Sequence, residues 1–225
     1  MKTVFEGKII NVISVENGLI IAYAYEQNEN NTVIAYKMVT FEDGKLTNVP
    51  KSLYHVSKFG TNYAEIEKLI SSPISCKSVI LPNDKIFVME PEDGSAKLFL
   101  SDGELLWSDN LAYRGQTPSS VAINNRSVWA CFKESGVLIR MNIINMKEEL
   151  RIGGGSASPF NMPVDMFADD DFIYVCCAQD NNIIKLNLNT YVTEVYAEFD
   201  SPLLQFIKNG AYEFAVLAGG VYLIN

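Results

Sequence analysis

The chain has 225 residues, 48% of them hydrophobic, and a formal net charge of −9 at pH 7. That supplies one or two well-buried domains, and the acidic balance excludes duplex nucleic acid and anionic membrane as main partners, because both need a basic surface. The apolar runs are about five to eight residues long, far short of the roughly 18 that span a bilayer.

The N-terminal stretch MKTVFEGKIINVISV has one early Lys but no continuous apolar core and no small-residue cleavage site. No secretory signal is read there, and the expected compartment is cytoplasmic. Lys2 to Phe5 predicts a strand that precedes the first hairpin.

From Ile13 onward one unit recurs, an apolar residue answered by another eight positions later. Ile13 leads to Ile21, Val79 to Phe87, Val121 to Trp129, Met166 to Tyr174, and Phe206 to Phe214. Between each pair lies a turn: Glu16-Asn17-Gly18, Pro82-Asn83-Asp84, Asn124-Asn125-Arg126, Asp169-Asp170-Asp171 and Asn209-Gly210. Asn, Asp and Gly tolerate the positive φ that tight hairpins require. The clearest copy is Thr117 to Cys131, with Val121 and Trp129 expected as its core pair.

A third and usually a fourth strand follow each hairpin. Lys97 to Leu100 and Glu104 to Trp107 play these parts in the second unit. Gly136 to Ile144 and Glu148 to Ile152 do so in the third, and Asn182 to Leu188 and Thr193 to Ala197 in the fourth. Four antiparallel strands every 40 to 45 residues is the pattern of a β-propeller blade. The last unit stops after a third strand, Val221 to Ile224, while the N-terminal strand is spare. The expected fold is therefore all-β, a single five-bladed propeller domain over residues 1–225, closed by the N-terminal strand pairing in the last blade.

One interval breaks the period. Ile21 to Phe87 spans 66 residues, against 42 from Phe87 to Trp129, which predicts an insertion at about 50–73 between blades 1 and 2. Within it, Asn62 to Ser71 places Ile66, Leu69 and Ile70 at helical spacing with Asn62 as a cap, and predicts a short helix.

TPSSVAINNRSVWAC and MPVDMFADDDFIYVC, followed by VLIRMNI and NIIKLNL, resemble blades of the NHL, YVTN and SMP30-like propeller group. The resemblance covers Pro73 to Leu217 well and the terminal units loosely. It implies a fold rather than a function, because members of the group include enzymes, sensors and protein-binding scaffolds. The group's metal-dependent hydrolases carry acidic and Asn ligands from several blades at the channel mouth, and no such set matches here.

The search for chemistry is thin. The residues just before the inner-strand apolar positions are Val12, Ser78, Ser120, Asp165 and Gln205, and one carboxylate among five does not meet the two that glycoside hydrolysis needs. Asp169-Asp170-Asp171 lacks EF-hand spacing and sits where every other unit has its turn. Gly153-Gly154-Gly155-Ser156 is followed by Pro159 and Pro163 rather than by the Lys-Ser/Thr of a phosphate loop. His55 has no assignable catalytic partner, and no CxxC accompanies it for a zinc site. Cys131, Cys176 and Cys177 lie within apolar runs, as small buried hydrophobes do. No catalytic residue, metal site or cofactor is assigned.

Geometry carries the remaining expectation. Loops Pro50 to Pro73, Ser108 to Pro118 and Gly153 to Pro163 are long, whereas Asp200-Ser201-Pro202 and Glu6-Gly7-Lys8 are short. The long loops are expected on one face, with aromatic and Arg anchors of the kind binding sites use. The candidate ligand-binding residues are Tyr54, His55, Tyr113, Arg114, Gln116, Phe160, Asp165 and Gln205. The expected function is a non-enzymatic binding module or scaffold for a protein, peptide or small ligand. The alternative is a hydrolase or lyase of SMP30-like or five-bladed glycosidase type with its site at the channel mouth.

Overall fold

The computed structural model describes residues 1–15, 19–28, 31–42, 45–48, 77–80, 85–100, 102–124, 127–142 and 147–224. Apolar and β-branched runs separated by Gly, Asn and Asp turns become strands, and no helix occurs among the described residues. The insertion at about 50–73, with its expected helix at Asn62 to Ser71 and with Tyr54 and His55, lies outside them.

The N-terminal strand is β1 (Lys2–Glu6). The first hairpin continues into a meander of β2 (Lys8–Val15), β3 (Leu19–Asn28), β4 (Asn31–Glu42) and β5 (Lys45–Asn48). The next four strands are β6 (Lys77–Ile80), β7 (Ile86–Met89), β8 (Ser95–Phe99) and β9 (Leu105–Asn110). They are followed by β10 (Ser120–Asn124), β11 (Ser127–Phe132), β12 (Val137–Asn142) and β13 (Glu148–Gly153). Then come β14 (Pro163–Ala168), β15 (Phe172–Cys177), β16 (Asn182–Asn187) and β17 (Thr193–Glu198). The chain closes with β18 (Leu203–Asn209), β19 (Tyr212–Leu217) and β20 (Gly220–Leu223).

Among the described residues these strands group into five four-stranded sheets. In four of them the strand order follows the chain. The fifth has the order β1-β20-β19-β18, so the N-terminal strand supplies the outer strand that the C-terminal unit lacks. It pairs antiparallel with β20, Lys2 opposite Leu223 and Glu6 opposite Gly220.

The backbone marks this substitution as equivalent to the other sheets. After each of three outer strands, the next N–H donates to the carbonyl of a residue in the turn between the second and third strands. Leu111 N bonds Gly94 O at 2.8 Å, Gly154 N bonds Gly136 O at 3.0 Å, and Phe199 N bonds Asn181 O at 2.9 Å. Gly7, just after β1, makes the same bond to Gly219 O at 3.1 Å. One sheet-closing hydrogen bond thus recurs at four equivalent places, which satisfies backbone groups at the sheet ends.

The chain divides into two compact units, Met1–Val88 with Lys97–Ser108 and Ile207–Asn225, and Met89–Ala96 with Asp109–Phe206. In the first, Phe5 of β1, Ile9 and Val12 of β2, and Ile207, Phe214, Val216 and Val221 form one buried cluster. In the second, β10 lies beside β14, and the core joins Ala122, Trp129, Cys131, Leu138 and Phe160 to Met166, Ile173, Val175, Cys177, Ile184 and Leu186. Trp129 is 1% exposed, as its place in an apolar strand predicts.

Val121 and Trp129 are both buried, as expected of the core pair, but they are not cross-strand partners. Ala122, not Val121, stands opposite Trp129, and Val121 stands opposite Ala130. Likewise Phe167 opposes Tyr174, and Met166 opposes Val175. In these two hairpins the members of the eight-residue spacing therefore face opposite sides of the sheet, whereas in the first hairpin Ile13 stands directly opposite Ile21. Turn chemistry holds at Asp169, whose Oδ1 accepts from the backbone N–H of Phe172 at 2.8 Å and of Asp171 at 3.2 Å, the closure of an Asx turn.

Candidate binding loop at Tyr113 to Gln116

The loop between β9 and β10 is anchored before it is exposed. Leu111 is buried and its N–H is held by Gly94. Thr117 Oγ1 donates to Pro91 O at 2.5 Å on the other side. Between these two points Tyr113 and Gln116 exchange both backbone hydrogen bonds, each 2.9 Å. Arg114 and Gly115 occupy the turn with φ of 50° and 78°, as two-residue hairpins of the I′ kind require. Gly115 takes this conformation freely, whereas Arg114 bears a cost of roughly 1 kcal/mol. The turn leaves Arg114 exposed at its tip.

Tyr113 gives the tip a floor. Its half-buried ring packs on Phe132 with centroids 5.4 Å apart. Two guanidiniums lie over the same ring, Arg114 Cζ at 5.2 Å and Arg151 Cζ at 4.7 Å from its centroid. A cation over an aromatic face is attracted by the ring quadrupole, by about 0.5–1 kcal/mol at exposed sites. Among the described residues Arg114 forms no ion pair, whereas Arg151 Nη2 lies 2.8 Å from both carboxylate oxygens of Glu148. The hydrogen bond to Glu148, reinforced by the charges of Glu148 and Tyr113 against a smaller desolvation effect, holds the Arg151 pKa above its ordinary value.

A bulge makes that ion pair. Residues three apart on a regular strand face opposite sides. Here the β12–β13 register shifts, with Arg140 opposite Leu150 and Met141 opposite Glu148. Glu149 is the extra residue, so Glu148 and Arg151 come to one side. Glu149 is turned toward Arg140, whose Nε lies 3.2 Å from its Oε2; that contact is an ion pair without hydrogen-bond alignment.

The other expected contact residues fall elsewhere. Gln116 is half-buried beneath the turn, and its Oε1 is buried with no hydrogen-bond partner among the described residues. Phe160 requires a correction as an exposed anchor: it is 1% exposed and belongs to the core around Trp129. Gly153 lies against its ring, and Ser158 Oγ, bonded to Gly136 O at 2.6 Å, accepts the Phe160 N–H at 3.2 Å. Asp165 is 4% exposed and accepts from Ser120 Oγ at 2.6 Å. Gln205 is half-buried on β18. The structure thus brings together Tyr113, Arg114 and Gln116, and adds Arg151 and Glu148. Strand alternation gave no hint of the last two, because the signal was an unseen bulge. No group of three or more His, Cys, Asp or Glu suited to a metal ion occurs among the described residues.

Repeated four-stranded meanders, the last completed by the N-terminal strand, decide the architecture. The fold is an all-β propeller. No family model matches the chain, and no curated protein matches it. Among solved structures, a protein of unknown function from Bacteroides caccae is similar over 93% of this chain and 70% of its own, with a TM-score of 0.51 and 13% identity. A streptogramin B lyase covers 98% of this chain and 69% of its own at TM-score 0.49 and 11% identity. Sqt1 of Saccharomyces cerevisiae covers 95% and 71% at TM-score 0.49 and 10% identity. Likeness at such identity concerns the fold alone.

Proposed function

We propose that this chain is a non-enzymatic binding module, a five-bladed propeller of the NHL, YVTN and SMP30-like kind, that recognises a protein partner through the Tyr113–Gln116 turn. The observation that carries the reading is Arg114, held exposed over an aromatic floor in a left-handed conformation that costs stability. Strain at a non-glycine residue in a tight turn is retained most readily where the side chain is used. Tyr and Arg are also the residue types that anchor interfaces. The state of Asp165 supports binding over hydrolysis or elimination. Buried and engaged by Ser120, it fits a structural carboxylate better than an acid offered to a substrate. Cys131, Cys176 and Cys177 are fully buried in their strands, as small hydrophobic residues are. No helix among the described residues is long and apolar enough to cross a membrane.

The test is affinity capture from cell extract, with wild-type protein compared against the Tyr113→Ala/Arg114→Gly double variant. A partner retained by the wild type and lost by the variant is the expected result. Identical capture by both proteins abandons this loop as the binding surface.

A further inference from the structure

We propose that the Tyr113 platform recognises carboxylate side chains, and that its ligand is an acidic peptide segment of a partner protein. This deepens the binding reading above and rests on it. Three observations favour that chemistry. Two guanidiniums share the Tyr113 ring, Arg151 at 4.7 Å and Arg114 at 5.2 Å. A guanidinium stacked on a ring still presents N–H donors at its edge, in the fork that matches a carboxylate. The chain itself shows the pairing: Glu148 places both carboxylate oxygens 2.8 Å from Arg151 Nη2. Arg114, beside it, has the same chemistry and no carboxylate among the described residues.

The net charge of −9 decides the size of the acidic ligand. A long polyanion is repelled by the whole molecule, and the acidic neighbours Glu148 and Glu149 on β13 add to that repulsion. A short peptide that places one or two carboxylates on Arg114 and Arg151 gains the contact and avoids most of the long-range field, which is screened beyond about 8 Å at physiological salt. Glu148 acts as a competitor. An incoming carboxylate engages Arg114 directly and reaches Arg151 by displacing Glu148.

The experiment is fluorescence anisotropy with labelled octaglutamate, octaglutamine and phosphoserine peptides. The proteins are wild type, Arg114→Gly, Tyr113→Ala and Glu148→Gln. Arg114→Gly removes the guanidinium while suiting the positive φ of the turn, so lost binding cannot be laid to unfolding. Octaglutamate is expected to bind saturably and octaglutamine not at all. Arg114→Gly is expected to weaken octaglutamate binding about tenfold, the worth of one charge-assisted hydrogen bond. Glu148→Gln is expected to strengthen it about threefold by releasing Arg151. Equal binding of octaglutamate and octaglutamine, or unchanged octaglutamate binding by Arg114→Gly, overturns the proposal. Tighter binding of the phosphoserine peptide overturns the assignment to carboxylates. Failure with octaglutamate while the Tyr113→Ala/Arg114→Gly variant still loses its captured partner sinks the acidic ligand alone and leaves the binding surface standing.

Discussion

Ser120 Oγ donates to Asp165 Oδ1 at 2.6 Å, and both residues are buried. They are equivalent positions of two successive repeats, each one residue before the apolar residue that opens the eight-residue spacing. The bond ties the inner strands β10 and β14 together. A second tie lies near the other end of the same strands, where Asn124 Nδ2 donates to Asp169 O. A buried carboxylate that loses a donor bears a desolvation cost of about 1–3 kcal/mol. Ser120→Ala is therefore expected to lower unfolding free energy by that amount, read as a shift in urea midpoint with an unchanged slope. Ser156→Ala, at an exposed loop position, is the comparison and is expected to change nothing measurable.

Phe160 tests the division between core and site. Phe160→Ala removes a ring packed with Trp129, Cys131 and Leu138 and is expected to cost about 3–5 kcal/mol, as is Trp129→Ala. Phe160→Leu, which keeps most of the volume, is expected to bind the partner captured by the Tyr113 loop as wild type does. Loss of that partner in a folded Phe160→Leu protein returns Phe160 to the binding surface.

Cys177 gives a pH signature. Burial pushes its thiol up to about 12 from an ordinary value of 9.0. The Asn161 backbone opposes the shift and the charge of Asp180 adds to it. The folded state therefore holds this proton through a range in which the unfolded chain releases it. Between about pH 9 and 12 the unfolded state binds fewer protons, so stability falls as pH rises. The slope of stability against pH in that range is expected to be shallower for Cys177→Ala than for wild type. Equal slopes refute the buried, protonated thiol. Below pH 9 the native thiol is expected to resist iodoacetamide and to react once urea unfolds the chain.

The N-terminal strand is expected to be structural. Phe5 is buried with Phe214, Val216 and Val221, so Phe5→Ala is expected to cost about 3–5 kcal/mol. Gly220, paired opposite Glu6 with φ of 157°, has no room for a side chain, because a Cβ there meets the Phe5 carbonyl oxygen. Gly220→Ala is expected to loosen β1 from β20. Hydrogen exchange of the Phe5 and Gly7 amides is the measurement, with faster exchange in the variant than in wild type.

Amino-acid order by itself determined where most strands run. β12, β13, β16 and β17 begin and end within two residues of their predicted spans. The reason is local. Short apolar runs favour extended chain, and Asn, Asp and Gly permit the turns between them, so each hairpin is legible in about a dozen neighbouring residues. The spare strand at Lys2 to Phe5 and the missing strand at the C-terminus likewise show in a simple census of repeats.

Tertiary structure decided what depends on residues far apart. Opposition of Ala122, rather than Val121, to Trp129 follows from register, and a slip of one residue exchanges the two faces of a strand. Burial of Phe160 follows from its packing with Trp129, Cys131 and Leu138 and from the approach of Gly153 to its ring. The candidate site follows the same rule. Tyr113 and Arg114 were legible as an aromatic and a cation in a long loop. Arg151 joined them because one bulged residue, Glu149, brought Arg151 and Glu148 to the same side of β13. A bulge is a property of two paired strands, and neither strand encodes it alone.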